Sequence, residues 1–267
     1  MGNEESNVGV LKKTFHILSC FRFRSDGLTL ADISNFTAIN KSTAHRLLFH
    51  LETEGYLQRE NGRYQIGQSL FQLGILAPQP QTLLKAAQPY MTDLAREIGE
   101  TINLAILDGV EILILHSLES PHEFRMAAKV GSRRPFYVTA LGKAIAAFLA
   151  PDKQQSLLQN LPTPFELPTP NSIQDFVRLR EELSAVRDRG YAVDNEEAVR
   201  GVRALGAPVF EGSGKVVAAI SVSGPASRIS FERVLAIASQ VVRASDSVTT
   251  TLGGHPELSR QVLRGDP

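Results

Sequence analysis

Along the first fifty residues, Val10, Leu11, Thr14, Phe15, Leu18 and Phe21 recur at helical spacing, and the pattern stops at Ser25-Asp26-Gly27, a turn signal. This predicts a first helix. Thr29 followed by Asp32 has the spacing of a capping box, in which each side chain bonds the other residue's backbone N–H, and Leu30, Ile33 and Phe36 mark the apolar side of a short second helix. After Ala38-Ile39-Asn40, the run Lys41 to Glu54 reads as a third helix with Ala44, Leu47, Leu48 and Leu51 on one face, and Gly55 ends it. Tyr56 to Arg59 and Arg63 to Ile66 are two short strands about Glu60-Asn61-Gly62, an Asn-Gly turn signal, and so form a hairpin. Leu70, Phe71, Leu73 and Leu76 suggest another short helix, which Pro78 and Pro80 break. A domain boundary is expected there, between segments 9–76 and 81–250.

Past the prolines, Leu84, Ala87, Met91, Leu94 and Ile98 describe an amphipathic helix containing Pro89. Thr101 to Leu107 and Glu111 to Ser117 are β-rich runs joined by Asp108-Gly109-Val110. Phe124 to Ala128 and Phe136 to Val138 are expected as strands on either side of Gly131, and Leu141 to Leu149 as a small-residue helix. Four prolines between Pro162 and Pro170 require a surface loop. Ser172 to Arg189 predicts a charged amphipathic helix ending at Gly190. Strands follow at Tyr191 to Val193, Val202 to Phe210 and Lys215 to Ser221, then a helix at Ser230 to Val248 and a loose tail from Gly253.

Composition narrows the classes. A chain of 267 residues with 43% hydrophobic content can fill two unequal cores. Lys and Arg number 28 and so do Asp and Glu, so any attraction to a polyanion must come from a local basic face. The single cysteine, Cys20, excludes an internal disulfide and any multi-cysteine metal site, and the histidines have no metal-ligand spacing. Neither metal nor cofactor is expected. The polar start and the lack of a long apolar run lead to the expectation of a cytoplasmic protein without a membrane partner.

Three short helices followed by a hairpin make a winged helix-turn-helix, whose third helix enters the major groove of DNA. With the apolar face turned inward, Lys41, Ser42, Thr43, His45, Arg46 and His50 are left to face outward. Cations and hydroxyls suit phosphates, Arg a guanine edge and the Thr methyl a thymine methyl. Glu52 and Glu54 lie at the far end of the helix, and Arg59 and Arg63 flank the wing, where they could grip a phosphate or the minor groove. On composition alone these residues also fit the solvated face of a small helical subdomain.

The runs Leu28 to Ile33, Asn40 to Leu48 and Leu51 to Leu57 resemble the DNA-binding domain of the IclR family of transcription regulators. The similarity resumes at Gly131 to Pro135, Thr139 to Ala144, Arg189 to Asp194, Glu197, Gly201 to Arg203, Ala207 to Phe210 and Ala219 to Pro225. It spans roughly residues 9–248. The resemblance implies an α+β chain with a C-terminal, GAF-like α/β domain whose curved antiparallel sheet holds a small effector, often a carboxylic acid or an aromatic compound. It also implies effector contacts at Gly131 through backbone amides, at Ser132, Asp194, Val202, Ala204, Ser221 and Ser223, and assembly into a homodimer or homotetramer. Some members have a cysteine at the Ala204 position, so their ligand does not transfer. The function implied is a ligand-responsive regulator, a repressor in the first instance, with operator double-stranded DNA and a small-molecule effector as partners.

The residues agree in outline. Ser221 and Ser223, two apart on a strand, point to one face. A carboxylate at Asp194 repels a bare acid unless it is protonated or paired, and otherwise accepts a hydrogen bond from a ligand hydroxyl. A hydroxy- or keto-acid satisfies both ends. The plainer alternatives are loop hydrogen bonding for the serines and a cap or salt bridge for Asp194. A rival class is a hydrolase-like enzyme using Ser221 or Ser223 with His116 and Asp194. The chain lacks G-x-S-x-G, G-x-x-x-x-G-K-[ST] and G-x-G-x-x-G runs.

Overall fold

The computed structural model describes residues 2–23, 27–75 and 78–257. The expected turn at Ser25-Asp26, Leu76 and the end of the tail lie outside the described residues. The chain divides into two compact units, Met1–Gln81 and Thr82–Pro267.

The first unit holds α1 (Gly2–Ser19), a 3-10 turn (Cys20–Phe23), α2 (Leu30–Thr37), α3 (Lys41–Thr53), strands β1 (Leu57–Glu60) and β2 (Arg63–Ile66), and α4 (Gln68–Ile75). Both bonds of the capping box are made: the Asp32 N–H donates to Thr29 Oγ1, and the Thr29 N–H donates to Asp32 Oδ2 at 2.9 Å. Ala38, left-handed at φ 55°, ends α2, and Asn40 caps α3 by accepting from the Thr43 N–H at 2.9 Å. Ala44, Leu47, Leu48 and Leu51 then join Ile17, Leu28, Ile33, Leu57 and Tyr64 in one core. Glu60 pairs with Arg63 across the two-residue Asn61-Gly62 turn, where φ is 50° and 76°. Two successive positive φ values are what a type I′ hairpin turn demands, hence Asn-Gly. Some apolar residues assigned inward face outward instead: Leu11, Phe15, Phe36, Phe71 and Leu73 are exposed.

The helix α5 (Pro78–Ile98) corrects one expectation. The helix before the prolines ends at Ile75, but the next one begins at the prolines rather than past them: Pro78 and Pro80 stand in its first turn, where a missing N–H removes no helical bond.

The second unit is a six-stranded antiparallel sheet in the order β5-β4-β3-β8-β7-β6, formed by β3 (Thr101–Asp108), β4 (Glu111–Leu118), β5 (Arg133–Pro135), β6 (Ala192–Asn195), β7 (Val202–Phe210) and β8 (Val216–Pro225). One face packs on α5 and on α9 (Phe231–Thr251): Ile102, Leu104, Leu205, Ala207, Ile220 and Val222 meet Met91, Leu94, Val234 and Val241. The other face carries α6 (Ala140–Ala147), α7 (Pro151–Gln159) and α8 (Phe176–Arg189). Two expected strands are absent. Phe124 to Ala128 forms no ladder, and Phe136 to Val138 is a buried 3-10 turn following the three-residue edge strand β5. The short helix α7 has no counterpart in the sequence reading.

All eight residues of α6 are buried. Its small side chains allow the backbone to lie close to its surroundings: a Cβ on Gly142 would stand 2.3 Å from the Phe136 carbonyl oxygen, and one on Gly206 of β7 would stand 3.0 Å from Ala140. Gly142→Ala must therefore displace backbone, and is expected to destabilise the chain by roughly 1–3 kcal/mol. Gly9→Ala in α1, with nothing within 4 Å, should be neutral or stabilising. Urea unfolding of the two variants checks this, and equal midpoints would contradict the close approach of α6.

Candidate functional site

Two surfaces gather the chemistry. On the first unit, Lys41, Ser42, His45, Arg46 and His50 are exposed on α3, with Phe49 beside them, and Thr43 is half-buried, while Ala44, Leu47 and Leu48 enter the core. Arg46 and Leu47 are neighbours with opposite fates, one in solvent and one 6% exposed. On the wing, the Arg59 guanidinium lies 5.3 Å from the centre of the Tyr64 ring, and Arg63 Nη1 donates to the Gly27 carbonyl at 3.1 Å. Both cations are thus presented on a tethered hairpin.

In the second unit, a cavity of about 320 Å³ opens between the sheet and α6. Its floor comes from Asn103 of β3, Ile112 and Ile114 of β4, Ala204 of β7, and Ser221 and Ser223 of β8. Thr139, Ala140 and Leu141 at the start of α6 form one wall, and Asp194, Ala198, Val199 and Val202 another. Met126 to Lys129, Ser132 and Arg134 complete the lining. The segment misread as a strand is therefore part of the cavity wall, held where Thr101 Oγ1 donates to the Met126 carbonyl at 2.6 Å.

Of the residues assigned to this site, Ser132, Asp194, Val202, Ala204, Ser221 and Ser223 line the cavity, and Gly131 does not. The Gly131 N–H donates to the Ile114 carbonyl at 2.8 Å and the Ser132 N–H to the Lys129 carbonyl at 3.0 Å. Gly131, at φ 83°, is there for the turn, and its amide is already engaged.

The serines sit in a directional chain that the sequence reading missed. Ser117 Oγ donates to Asn103 Oδ1 at 2.8 Å, and Asn103 Nδ2 donates to Ser223 Oγ at 3.0 Å. Ser223 accepts from Asn103, which leaves its own O–H to donate into the cavity. Ser221 is 1% exposed, and its hydroxyl has no side-chain hydrogen bond among the described residues. A lone amide at position 103 within an otherwise apolar strand was the available signal.

Asp194 has two tasks. Its Oδ1 accepts from the backbone N–H groups of Glu197 at 2.7 Å and Ala198 at 3.3 Å, capping the turn after β6. Its other oxygen has no protein donor among the described residues, and the side chain lines the cavity. Burial, the largest cause, and the nearby Glu197 push its pKa up to about 7, against the pull of the backbone bonds and Lys143. Near neutrality the group is partly protonated and can donate as well as accept. Glu197 is also raised by burial, with Lys143 opposing the rise. Lys143 Nζ, on the fully buried α6, lies 2.6 Å from Glu197 Oε1 and 3.4 Å from Glu182.

The hydrolase arrangement does not assemble. His116 pairs with Leu104, and a bulge between Leu104 and Ala105 puts it on the sheet face that packs against α5 and α9. Ser221 pairs with Asn103 and faces the cavity on the other side. Among the described residues no group of three His, Cys, Asp or Glu could hold a metal ion. No helix among them is long and apolar enough to cross a membrane.

A family model described as the bacterial transcriptional regulator IclR C-terminal domain matches residues 77–250, and the IclR helix-turn-helix domain matches residues 10–61. The chain belongs to the IclR family. It is 32% identical over 258 residues to the HTH-type transcriptional regulator KdgR of Escherichia coli K12, covering 96% of this chain and 97% of that one. It is also 32% identical over 248 residues to the transcriptional repressor IclR of the same strain, covering 91% and 90%. The solved structure of the Thermotoga maritima IclR shares 28% identity and a TM-score of 0.73, covering 92% of this chain and 99% of that one. This IclR-family chain is thus a DNA-binding transcription regulator.

The raised pKa of Asp194 sets a pH dependence. Between the ordinary value of about 4 and about 7, the folded chain keeps a proton that the unfolded chain has released. Its contribution to stability is therefore fully present below about pH 4 and lost as the pH rises to about 7. Asp194→Asn keeps the turn-capping acceptor and removes the titration, so it should flatten the fall in stability across that window. Urea unfolding from about pH 4 to about pH 8 gives the comparison, and parallel curves for the two proteins would mean that Asp194 ionises normally.

Proposed function

We propose that this regulator is a repressor that occupies its operator as a homo-oligomer and is released by a small organic acid bearing a hydroxyl or keto group. The observation that carries the reading is the cavity of about 320 Å³, in which the buried, unengaged Ser221 hydroxyl, the Ser223 donor and the Asp194 carboxyl, its pKa pushed up by burial, converge. Its volume lies at the small end for ligand pockets, which suits a compact metabolite. Asp194 in its neutral form does not repel a carboxylate, and in either form it bonds a ligand hydroxyl. Val202 and Ala204 supply apolar contact, and Ser132 lies at the margin; Gly131 shapes the turn and makes no amide contact.

On the DNA side, Lys41, Ser42 and Thr43 meet phosphates at the start of the recognition helix, His45 and Arg46 reach base edges, and Arg59 and Arg63 hold the backbone beside the wing. One winged domain gives too little contact for tight specific binding, so two read a near-palindromic site. The exposed Leu11 and Phe15 of α1 with Phe71 and Leu73 of α4 are the apolar surface for that pairing.

A thermal-shift screen of hydroxy-, keto-, sugar and aromatic acids should find a ligand that raises the melting temperature. Ser221→Ala with Ser223→Ala should then weaken that ligand in calorimetry while ligand-free DNA binding persists. Unchanged ligand affinity would remove the serines from the site. Arg46→Ala should abolish sequence-specific binding with the fold intact, whereas Leu47→Ala should cost about 2–5 kcal/mol of stability. Equal unfolding in both would refute the orientation of α3.

A further inference from the structure

A second concave site lies within the first unit. A cleft of about 320 Å³ separates α1 from the turn between α2 and α3, and Lys12, Lys13 and His16 line its α1 side. All three are exposed, and none has a carboxylate within ion-pair distance among the described residues. Two lysines and a histidine one turn of helix apart repel one another when charged. The core packing of α1 and the 3-10 turn that follows it, through Ile17 and Phe21, gives no reason for their grouping. The opposite wall is mixed: Thr37, Ala38 in its left-handed conformation, Ile39, Asn40 and Thr43, with the Asn40 side chain held by the Thr43 N–H.

The geometry points to a cleft that clamps a phosphodiester of the DNA backbone, with Lys12 and Lys13 supplying the charge and His16 a further donor. This rests on the reading of α3 as the recognition helix. Asn40 and Thr43 belong both to the cleft and to the first turn of α3, so a duplex lying against Lys41, Ser42 and Arg46 brings its backbone to the mouth of the cleft. Because the chain has no net charge, attraction to a polyanion must be generated locally, and unpaired cations in a concavity do so. The lysines therefore act on affinity for any sequence, and the exposed side chains of α3 on the choice among sequences.

The full-length protein is tested on a duplex selected by the wild type from a randomised library and on a scrambled duplex of the same length and composition. Lys12→Gln with Lys13→Gln should weaken both by the same factor, and the slope of log affinity against log salt should flatten by about one for each lysine that meets a phosphate. Lys12→Arg with Lys13→Arg should keep the wild-type slope. Circular dichroism and thermal melting confirm that each variant is folded. Arg46→Ala should instead remove the preference between duplexes. Unchanged affinity and slope in the glutamine variant, alongside lost preference in Arg46→Ala, would overturn the cleft and leave the recognition helix standing. A loss confined to the selected duplex would also overturn it, since that is base reading. If inorganic phosphate at constant ionic strength binds the wild type but not the glutamine variant, while the DNA salt slopes agree, the cleft holds a free anion and the proposal fails. Failure of the wild type to select any duplex would instead sink the recognition helix and the cleft with it.

Discussion

The second unit depends on one fully buried helix, α6, packed so closely that Gly142 leaves no room for a Cβ beside Phe136 of the preceding 3-10 turn, and a Cβ on Gly206 of the sheet would press on Ala140 at 3.0 Å. Such an approach needs small residues, and Ala140, Gly142, Ala144, Ala146 and Ala147 supply them. The exception is Lys143, a cation 1% exposed inside this apolar layer. An unpaired ammonium there would be prohibitively costly, and Glu197 at 2.6 Å with Glu182 at 3.4 Å is what makes it tenable. The pair does not by itself argue for stability, because burial penalises both ions. Its effect is to fix the turn after β6 to α6. Glu197 holds Lys143 through its side chain while its N–H holds Asp194, so the acid of the cavity and the helix forming the cavity wall are placed by the same residue.

What was legible in the sequence is what local physics determines. The capping box at Thr29, the inward stripe of α3 and the Asn61-Gly62 turn each depend on residues within a few positions, and each lies where spacing places it. Misreadings arose where tertiary context prevails. Phe124 to Ala128 has strand-like composition but no strand beside it to pair with, and it became cavity wall with Phe124 77% exposed. Phe136 to Val138 is buried all round, so alternation had nothing to report. The helix α7 carries few apolar residues and starts at Pro151, and its periodicity is correspondingly weak. The outward turn of Leu11, Phe15, Phe71 and Leu73 could not be seen from a pattern that counts apolar residues without knowing what covers them.

The cavity was legible only in part, for the same reason. Ser221 and Ser223 share a face because strands alternate, and that much a sequence declares. Asn103 comes to Ser223 from 120 positions away, and Ser117 to Asn103 from the next strand. The register of three antiparallel strands, interrupted by the bulge at Leu104, decides which polar groups meet. That bulge also turns His116 to the far face, away from the alternation that Ile112 and Ile114 begin.

Asp194 is under two opposing structural demands. As a cap, it gains from charge, because an ionised carboxylate accepts more strongly from the Glu197 and Ala198 amides. As a buried group beside Glu197, it gains from neutrality, and burial is the larger influence. The balance near pH 7 means that little free energy separates the two forms. A ligand that offers a carboxylate stabilises the protonated form, and one that offers only hydroxyls stabilises the charged form. In the proposed reading, discrimination between acids and neutral alcohols is therefore set at this residue by which proton state the ligand completes, while the serine chain, whose donors point one way, fixes the orientation in which it does so.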